Sequence, residues 1–457
     1  MKTRIINIWQ ASKVSFWTIP ALMVSLAVLV SLLMVGLDRE VYLRNDPLPS
    51  FLTAVGPEGA RALLSTIAGS MITVAGVTFS ITIVALNLAS TQFGPRLLRN
   101  FMQDRGIQFV LGTYVSNFLY CLLVLRSIQT IGPEVFVPNF SVLLAMVMAF
   151  LGVGVLIFFI HHISTSIQAD RVIVQVSTEM RRNIEHLFPH EIEDASGDLT
   201  RKIAALQKEN VAHQRQMTVA SRADGYLQAI DHEGLLQLAR DKDFFIEIRL
   251  RPGNCVVSGS PMAIVSSAGE CTPADVRAIA AAFIVGQQRT PEQDAEFSIN
   301  QLVEIALRAL SPGINDPFTA MVCIDQLGSV LCYLAVRKFP PASRFDDHGF
   351  LRLQIQPYSF PGMVNAAFDQ IRQCSCGNIA VTIRLLETLT MIAERTHRPA
   401  RHAAIRRQAD MIVTASGKRD PSGEDEKDIR QRYDILCERI QIPADETGDD
   451  QQRTAAA

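Results

Sequence analysis

The sequence predicts a membrane α-helical domain of four transmembrane helices, followed by a cytoplasmic α+β domain that is mostly helical with a small β hairpin or barrel segment. Three observations predict it. Four long apolar stretches crowd into the first third of the chain, charge becomes frequent from about residue 164, and a short run of strict alternation sits between helical patterns further on. At 457 residues the chain is too long for one ordinary core, so two or more units are expected. Mean hydropathy is positive, +0.19, although the apolar share of 48% is ordinary. Apolar residues concentrated in one region give that combination. The net charge of −2 gives no reason to expect nucleic acid as a partner.

A bilayer core of roughly 30 Å takes about 20 apolar residues in a helix. The stretches at about 16–37, 64–90, 106–126 and 136–161 qualify, and Arg126 is the only Lys, Arg, Asp or Glu in them. A soluble core helix would show a polar face, and these show none. The lipid bilayer is therefore a partner. The first stretch is too long for a cleaved signal peptide and no A-x-A-like site follows it. Trp9 and Trp17 suit an interfacial aromatic belt.

Basic residues near the span ends set the orientation. Lys2, Arg4, Lys13, Arg96, Arg99, Arg105, Arg171, Arg181 and Arg182 lie on one side, and Arg39, Arg44, Arg61 and Arg126 on the other. Nine against four places both termini in the cytoplasm. The loop from Gln92 to Arg105 alternates arginines with Leu97, Leu98, Phe101 and Met102, the pattern of an interfacial helix. His161 and His162 close the fourth span, where they either snorkel or form a pH-sensitive gate.

The second span carries Thr66, Thr73, Ser80 and Asn87 at intervals of seven, with Gly69 and Gly76 beside them. A helix drifts only about 20° per heptad, so all four share one face. Small residues four apart let helices approach closely, so the stripe is either packing or the lining of a polar pathway. Asn87 is the costly member if it lies in hydrocarbon. With no acid or base inside the spans, a passive pathway fits better than a pump.

The expected organisation is a transmembrane domain (1–163), a helical connector (164–220), a small β-rich subdomain (221–268), a helical cytoplasmic domain (269–442) and a disordered tail (443–457). Gly225–Ile230 reads as a strand, with Asp231 capping a brief helix after it. Phe245–Arg251 alternates, Pro252-Gly253-Asn254 turns, and Cys255–Val265 returns as a second strand; Leu351–Gln356 suits an edge strand. Thr290-Pro291 and Ser298 with Gln301 read as two successive helix starts, and Asp316-Pro317 as a third. Further helices are expected over 361–373, 378–395, 400–416 and 424–440.

The densest polar cluster is Arg289, Gln293, Asp294, Glu304, Arg308, Asn315 and Asp316. It reads as structural ion pairs or as a site for an unknown anionic ligand. No nucleophile or phosphate loop accompanies it, so nothing supports an enzyme. The eight cysteines include one C-x-C, Cys374 and Cys376, but no zinc-ligand spacing. No metal or cofactor is implied, and reduced thiols suit a reducing compartment.

Three segments carry a family resemblance. They are Arg308-Ala309-Leu310-Ser311-Pro312-Gly313-Ile314-Asn315-Asp316-Pro317-Phe318-Thr319-Ala320, the run from Phe79-Ser80 to Phe101, and Gly225-Tyr226 through Arg251-Pro252-Gly253. Together they resemble a bacterial four-span membrane-protein family catalogued as a domain of unknown function. The resemblance implies four spans in a bacterial cytoplasmic (inner) membrane with a cytoplasmic domain, and brings no assigned activity. Gly94 and Asn254-Cys255 depart from its pattern, which weakens a ligand role for the turn at 252–255. Two functions stay open: a homo-oligomeric channel-like or solute-permeating protein with a regulatory domain, and a membrane-anchored ligand sensor or scaffold.

Overall fold

A computed structural model gives the fold and describes residues 16–44, 56–94, 104–128, 136–166, 168–188, 215–417 and 422–441. The chain divides into two compact units, Met1–Val172 and Ile173–Ala457. The interfacial helix expected at 92–105 and the tail from 443 lie largely or wholly outside the described residues.

The first unit holds α1 (Thr18–Arg44), α2 (Pro57–Phe93), α3 (Arg105–Ser127) and α4 (Asn139–Ser166). Helices dominate because a backbone in hydrocarbon must satisfy its own hydrogen bonds. The third is the central one, packing on α1, α2 and α4. Its tyrosines fasten it to α4: Tyr114 donates to the Gly152 carbonyl at 2.8 Å and Tyr120 to that of Ser141 at 3.1 Å. Gly112 gives α1 room, since a Cβ there would lie 2.6 Å from Met23 Sδ.

The first helix runs past the apolar stretch that ends at Leu37. It carries Asp38, which is 5% exposed and accepts hydrogen bonds from Phe140 N, Ser141 N and Ser141 Oγ at 2.9, 2.9 and 2.6 Å. A helix start has backbone N–H groups with no partner of their own. Asp38 supplies acceptors to the start of α4 from another helix, which no local sequence pattern shows.

Across the boundary between the units runs α5 (Ala169–Leu187). The second unit then has β1 (Arg215–Ala220), β2 (Gly225–Ile230), α6 (His232–Asp241), β3 (Phe244–Ile248), β4 (Cys255–Val256), β5 (Pro261–Ser267), α7 (Pro273–Ala281) and β6 (Phe283–Gly286). There follow α8 (Ala295–Ala309), α9 (Pro317–Leu334), β7 (Ser343–Phe345), β8 (Leu351–Gln354), α10 (Phe360–Cys374), α11 (Ile379–Ala393), α12 (Pro399–Gly417) and α13 (Gly423–Gln441). One sheet has the order β1-β5-β3-β8-β7 and the other β4-β2-β6. Leu227, Ile230, Leu235, Ile246, Ile248, Val265 and Leu353 form a common core under both sheets.

Several sequence expectations are corrected here. Arg215 and Gln216, read as the end of a helical connector, start β1. The expected return strand at 255–265 is two strands: β4 pairs with β2 in one sheet and β5 with β3 in the other. The expected edge strand, β8, is interior, parallel to β3 and antiparallel to β7. Thr290-Pro291 opens a turn and Asp294 is the N-cap of α8. Ser298 and Gln301, read as a capping box, sit inside α8, each 2% exposed. Both patterns were local, and burial of one continuous helix face overrode them.

By length and composition five helices among the described residues could cross a membrane, the fifth being α9. Its apolar character serves a core instead. Its residues Ile324, Leu327 and Leu331 are at most 1% exposed, a Cβ at Gly328 would meet Thr388 of α11, and Asp325 lies 3.6 Å from Arg384.

Replacing Asp38 by Ala leaves the start of α4 without its acceptors. The full chain in detergent is expected to lose about 2 kcal/mol of stability, read as a lower melting temperature, with Asp38→Asn losing less. Unchanged melting in both variants would remove Asp38 from the bundle's supports.

Candidate functional site

Two groups of residues singled out from sequence are candidates: the stripe on α2 and the polar cluster around α8.

Two faces of α2 differ in what they touch. Ala60, Leu64, Ala68, Met71, Ala75, Thr78, Thr82, Ala85 and Ala89 are buried against the unit's own helices. Thr66, Thr73, Ser80 and Asn87 are all exposed, on a different face. A Cβ added at Gly69 or Gly76 would meet nothing within 4 Å. Close packing within the chain is therefore not what these small residues serve. Thr66 and Thr73 each donate to the carbonyl four residues back, at 2.8 Å. That bond satisfies the hydroxyl hydrogen and leaves oxygen lone pairs outward.

Levels along the bundle place the stripe. Arg61 donates to Ile128 O at 3.2 Å, and Met71, Tyr114 and Gly152 meet at one height. The second and third helices run in opposite directions, so the first contact sets residue 85 and the second residue 81 level with Asp104. Asn87 then lies two to six residues further, roughly 3–9 Å beyond that level at 1.5 Å per residue. The amide stands clear of the deepest part of the bundle, while Thr66 and Thr73 are within it.

Asp104 marks this end of the unit. Its carboxylate accepts from Gly106 N at 2.7 Å and Ile107 N at 3.3 Å, capping α3, and lies 2.8 Å from His162 Nε2. Phe158 stacks on the imidazole with centroids 5.3 Å apart. Gly106 leaves the ring its space, because a Cβ would lie 2.7 Å from Nε2. His162 is thus held in a clasp between α3 and α4. The third span also holds polar residues of its own. Asn117 is fully buried, and neither its Nδ2 nor Ser116 Oγ finds a partner among the described residues. Their adjacency to Tyr114 and Tyr120 was the available signal.

The polar cluster divides between the two ends of α8. At its start, Asp294 is 2% exposed, caps Glu296 N and pairs with Arg289 at 2.7 Å. Burial pushes its carboxyl above the ordinary range, and Arg289 only partly opposes this. Gln293 accepts from Ile230 N at 3.0 Å, tying β2 to the same corner. Arg251, part of the alternating run, joins them through Glu296 at 2.7 Å and the face of Tyr358 at 5.0 Å. Tyr358 O–H reaches the carbonyls of Pro252 and Gln293, and burial raises its phenol well above the usual range. At the far end, Glu304 and Arg308 pair at 3.6 Å. Asn315 adopts a left-handed conformation, φ 49°, and Asp316 caps α9 by accepting from Thr319 N and Oγ1. The Thr319 hydroxyl bond draws the Asp316 carboxyl below its usual range. These groups hold turns and helix starts. Ile314 and Phe318 flank the far turn, 49% and 75% exposed.

Residues 13–391 match the family described as Predicted membrane protein (DUF2254). The chain belongs to this family. It is a membrane protein with several apolar helices and a sheet-containing second unit. The uncharacterized proteins Rv1290c of Mycobacterium tuberculosis and Mb1321c of Mycobacterium bovis are each 29% identical to it over 368 residues, 79% of this chain and 68% of theirs. No solved structure matches the chain. Among the described residues no group of three or more His, Cys, Asp or Glu side chains is placed to hold a metal ion.

Two outcomes test the structural reading of the second unit. Asp294→Ala leaves Arg289 facing an empty corner and is expected to cost about 3 kcal/mol, measured by denaturation of the full chain in detergent. His232, at the start of α6, is pushed down to about 4 by burial and by Arg344. A base lowered on folding contributes stability that is fully present above its unfolded value and is lost as pH falls. Melting should therefore drop from pH 6.5 toward 4, by up to about 3 kcal/mol, with a flatter profile in His232→Gln. A superimposable profile for wild type and variant would refute this assignment.

Proposed function

We propose that this protein is a homo-oligomeric, channel-like membrane protein in which the α2 helices of several copies surround a common axis. One observation carries the reading. The outward face of α2 presents a stripe of Thr66, Gly69, Thr73, Gly76 and Ser80 beside Val77, Ile83 and Val84, while the outward faces of α1 and α4 present mainly large apolar residues such as Leu22, Leu26, Leu29, Phe150, Leu151 and Ile157. Lipid tails favour the second kind of surface. Glycine and hydroxyl residues favour close approach of another helix or contact with water. A chain of four spans encloses little space, so a pathway along this face needs further copies.

The same reading puts the chain in a bacterial cytoplasmic membrane with both termini and the second unit on the cytoplasmic side. The distribution of arginines and lysines supports that orientation. The second unit, with its β-rich part (221–268) and helical part (269–442), would then regulate the pathway. A membrane-anchored ligand sensor without transport is the second reading, favoured by a polar groove in that unit.

Purified protein in liposomes tests the proposal, with oligomeric state read by light scattering. An oligomer is expected, with ion or solute flux under voltage, osmotic downshift or pH change. Thr73→Leu should cut that flux at least tenfold in protein that still assembles. A monomer, or no flux under any of the three stimuli, would overturn the channel reading.

A further inference from the structure

Both arginines of the polar cluster face carboxylates, Arg289 with Asp294 and Arg308 with Glu304. An anionic ligand gains little from a cation already paired. The alternating strand β3 leads to a different place. Its parallel ladder with β8 includes Ile246↔Leu353 and Glu247↔Gln354 and goes no further. Beyond that pair a groove of about 370 Å³ opens between the two segments, lined by residues 247–249 and 354–357 with Ala342. That volume falls within the range of small-molecule sites, roughly 300–1,000 Å³.

The pleat decides which side chains line it. Glu247 and Gln354 are paired neighbours, and Arg249 and Gln356 follow two residues on, so all four project from one face. Ile246, Ile248 and Leu353 occupy the opposite face, in the core. Arg249 donates its backbone N–H to Met262 O at 3.0 Å, and its guanidinium is exposed with no hydrogen bond or ion pair among the described residues. Gln354 Oε1 accepts from Ser343 Oγ at 3.0 Å, which leaves the amide N–H₂ to donate. The groove therefore joins an unpaired guanidinium and two carboxamides to one carboxylate.

We propose that this groove binds a small polar molecule by an anionic oxygen group, carboxylate or phosphate, held by Arg249 with Gln354 and Gln356. The Glu247 carboxylate on the same face has an interaction of its own and is not counted among the ligand's contacts. This site stands apart from the α2 face and does not depend on transport. It gives the second unit something to sense.

The test is calorimetric titration of the full-length protein in nanodiscs with L-glutamate, succinate and inorganic phosphate. Saturable binding of at least one is expected, with glutamate or succinate strongest if a carboxylate is the anchor and phosphate strongest if a phosphoryl group is. Arg249→Ala should weaken that binding at least tenfold, Arg249→Lys less, and Gln356→Trp should block it sterically. Unliganded melting checks that each variant folds. No saturable heat with any of the three, or equal affinity in wild type and Arg249→Ala, would overturn the site.

Discussion

Everything in the first unit depends on closing helix ends where water is scarce. Two aspartates do this at opposite ends of the bundle. Asp38 meets the backbone N–H groups at the start of α4, and Asp104 meets those at the start of α3 while also holding His162. Along α4 the two contact points are Ser141 and His162, 21 residues apart (162 − 141). At 1.5 Å per residue that is about 31 Å, the thickness of a bilayer's hydrocarbon core. The acids therefore stand where the membrane's polar boundaries would fall. There a carboxylate can be partly hydrated and still serve a buried helix end. The apolar helices between them need only fit each other, which Gly112, Ala27 and the two tyrosines of α3 achieve.

The second unit solves the same problem at the other pole of its helices, where carbonyls are left over. Arg337 and Arg401 are 5% and 6% exposed. Arg337 donates to Phe188 O just past α5, and Arg401 to Ala335 O just past α9 and to Arg337 O. The negative ends of helix dipoles offset these cations where no acid does. Burial still lowers Arg401, to about 10. Phe339 and Phe360 receive its guanidinium plane at 5.8 and 5.4 Å. Helix ends thus organise both units, with acids serving starts in each and arginines serving finishes in the second.

This explains what was legible in the sequence. Apolar length gave the membrane helices, and local caps gave Asp231 and Asp316 at the starts of α6 and α9, since each acts within three residues of itself. Asp38 acts across 103 residues and Arg401 across 66, beyond any local pattern. The sheet failed for a related reason. Between residues 255 and 265 the chain leaves one sheet for another, and β8 enters between β3 and β7 from about a hundred residues away. Alternation marked these segments as strands but said nothing about their partners. The polar cluster read as one site because its members are close in sequence. A helix of 15 residues separates its two ends by about 22 Å.

The stripe on α2 was legible as a face and illegible as a role, because heptad spacing is silent about which side faces inward. The structure separates two small-residue surfaces on one helix. The alanine-rich one is used by the unit itself, and the glycine and hydroxyl one is not. A helix that only bordered lipid would gain from large apolar side chains all round its outer face; α2 has them at Val77, Ile83 and Val84 beside the stripe and loses dispersion contacts where glycine stands instead. Gly69 and Gly76 forgo those contacts within the chain. A partner surface approaching the helix backbone would restore them, and the outward oxygens of Thr66 and Thr73 would give water or a cation something to touch where the approach is incomplete. Asn87 stands just past the level of Asp104, at the edge of the bundle's depth and not in its middle. The case for association therefore rests on the glycines and hydroxyls within the bundle's depth, the part of α2 where lipid could not be replaced by water without another protein surface.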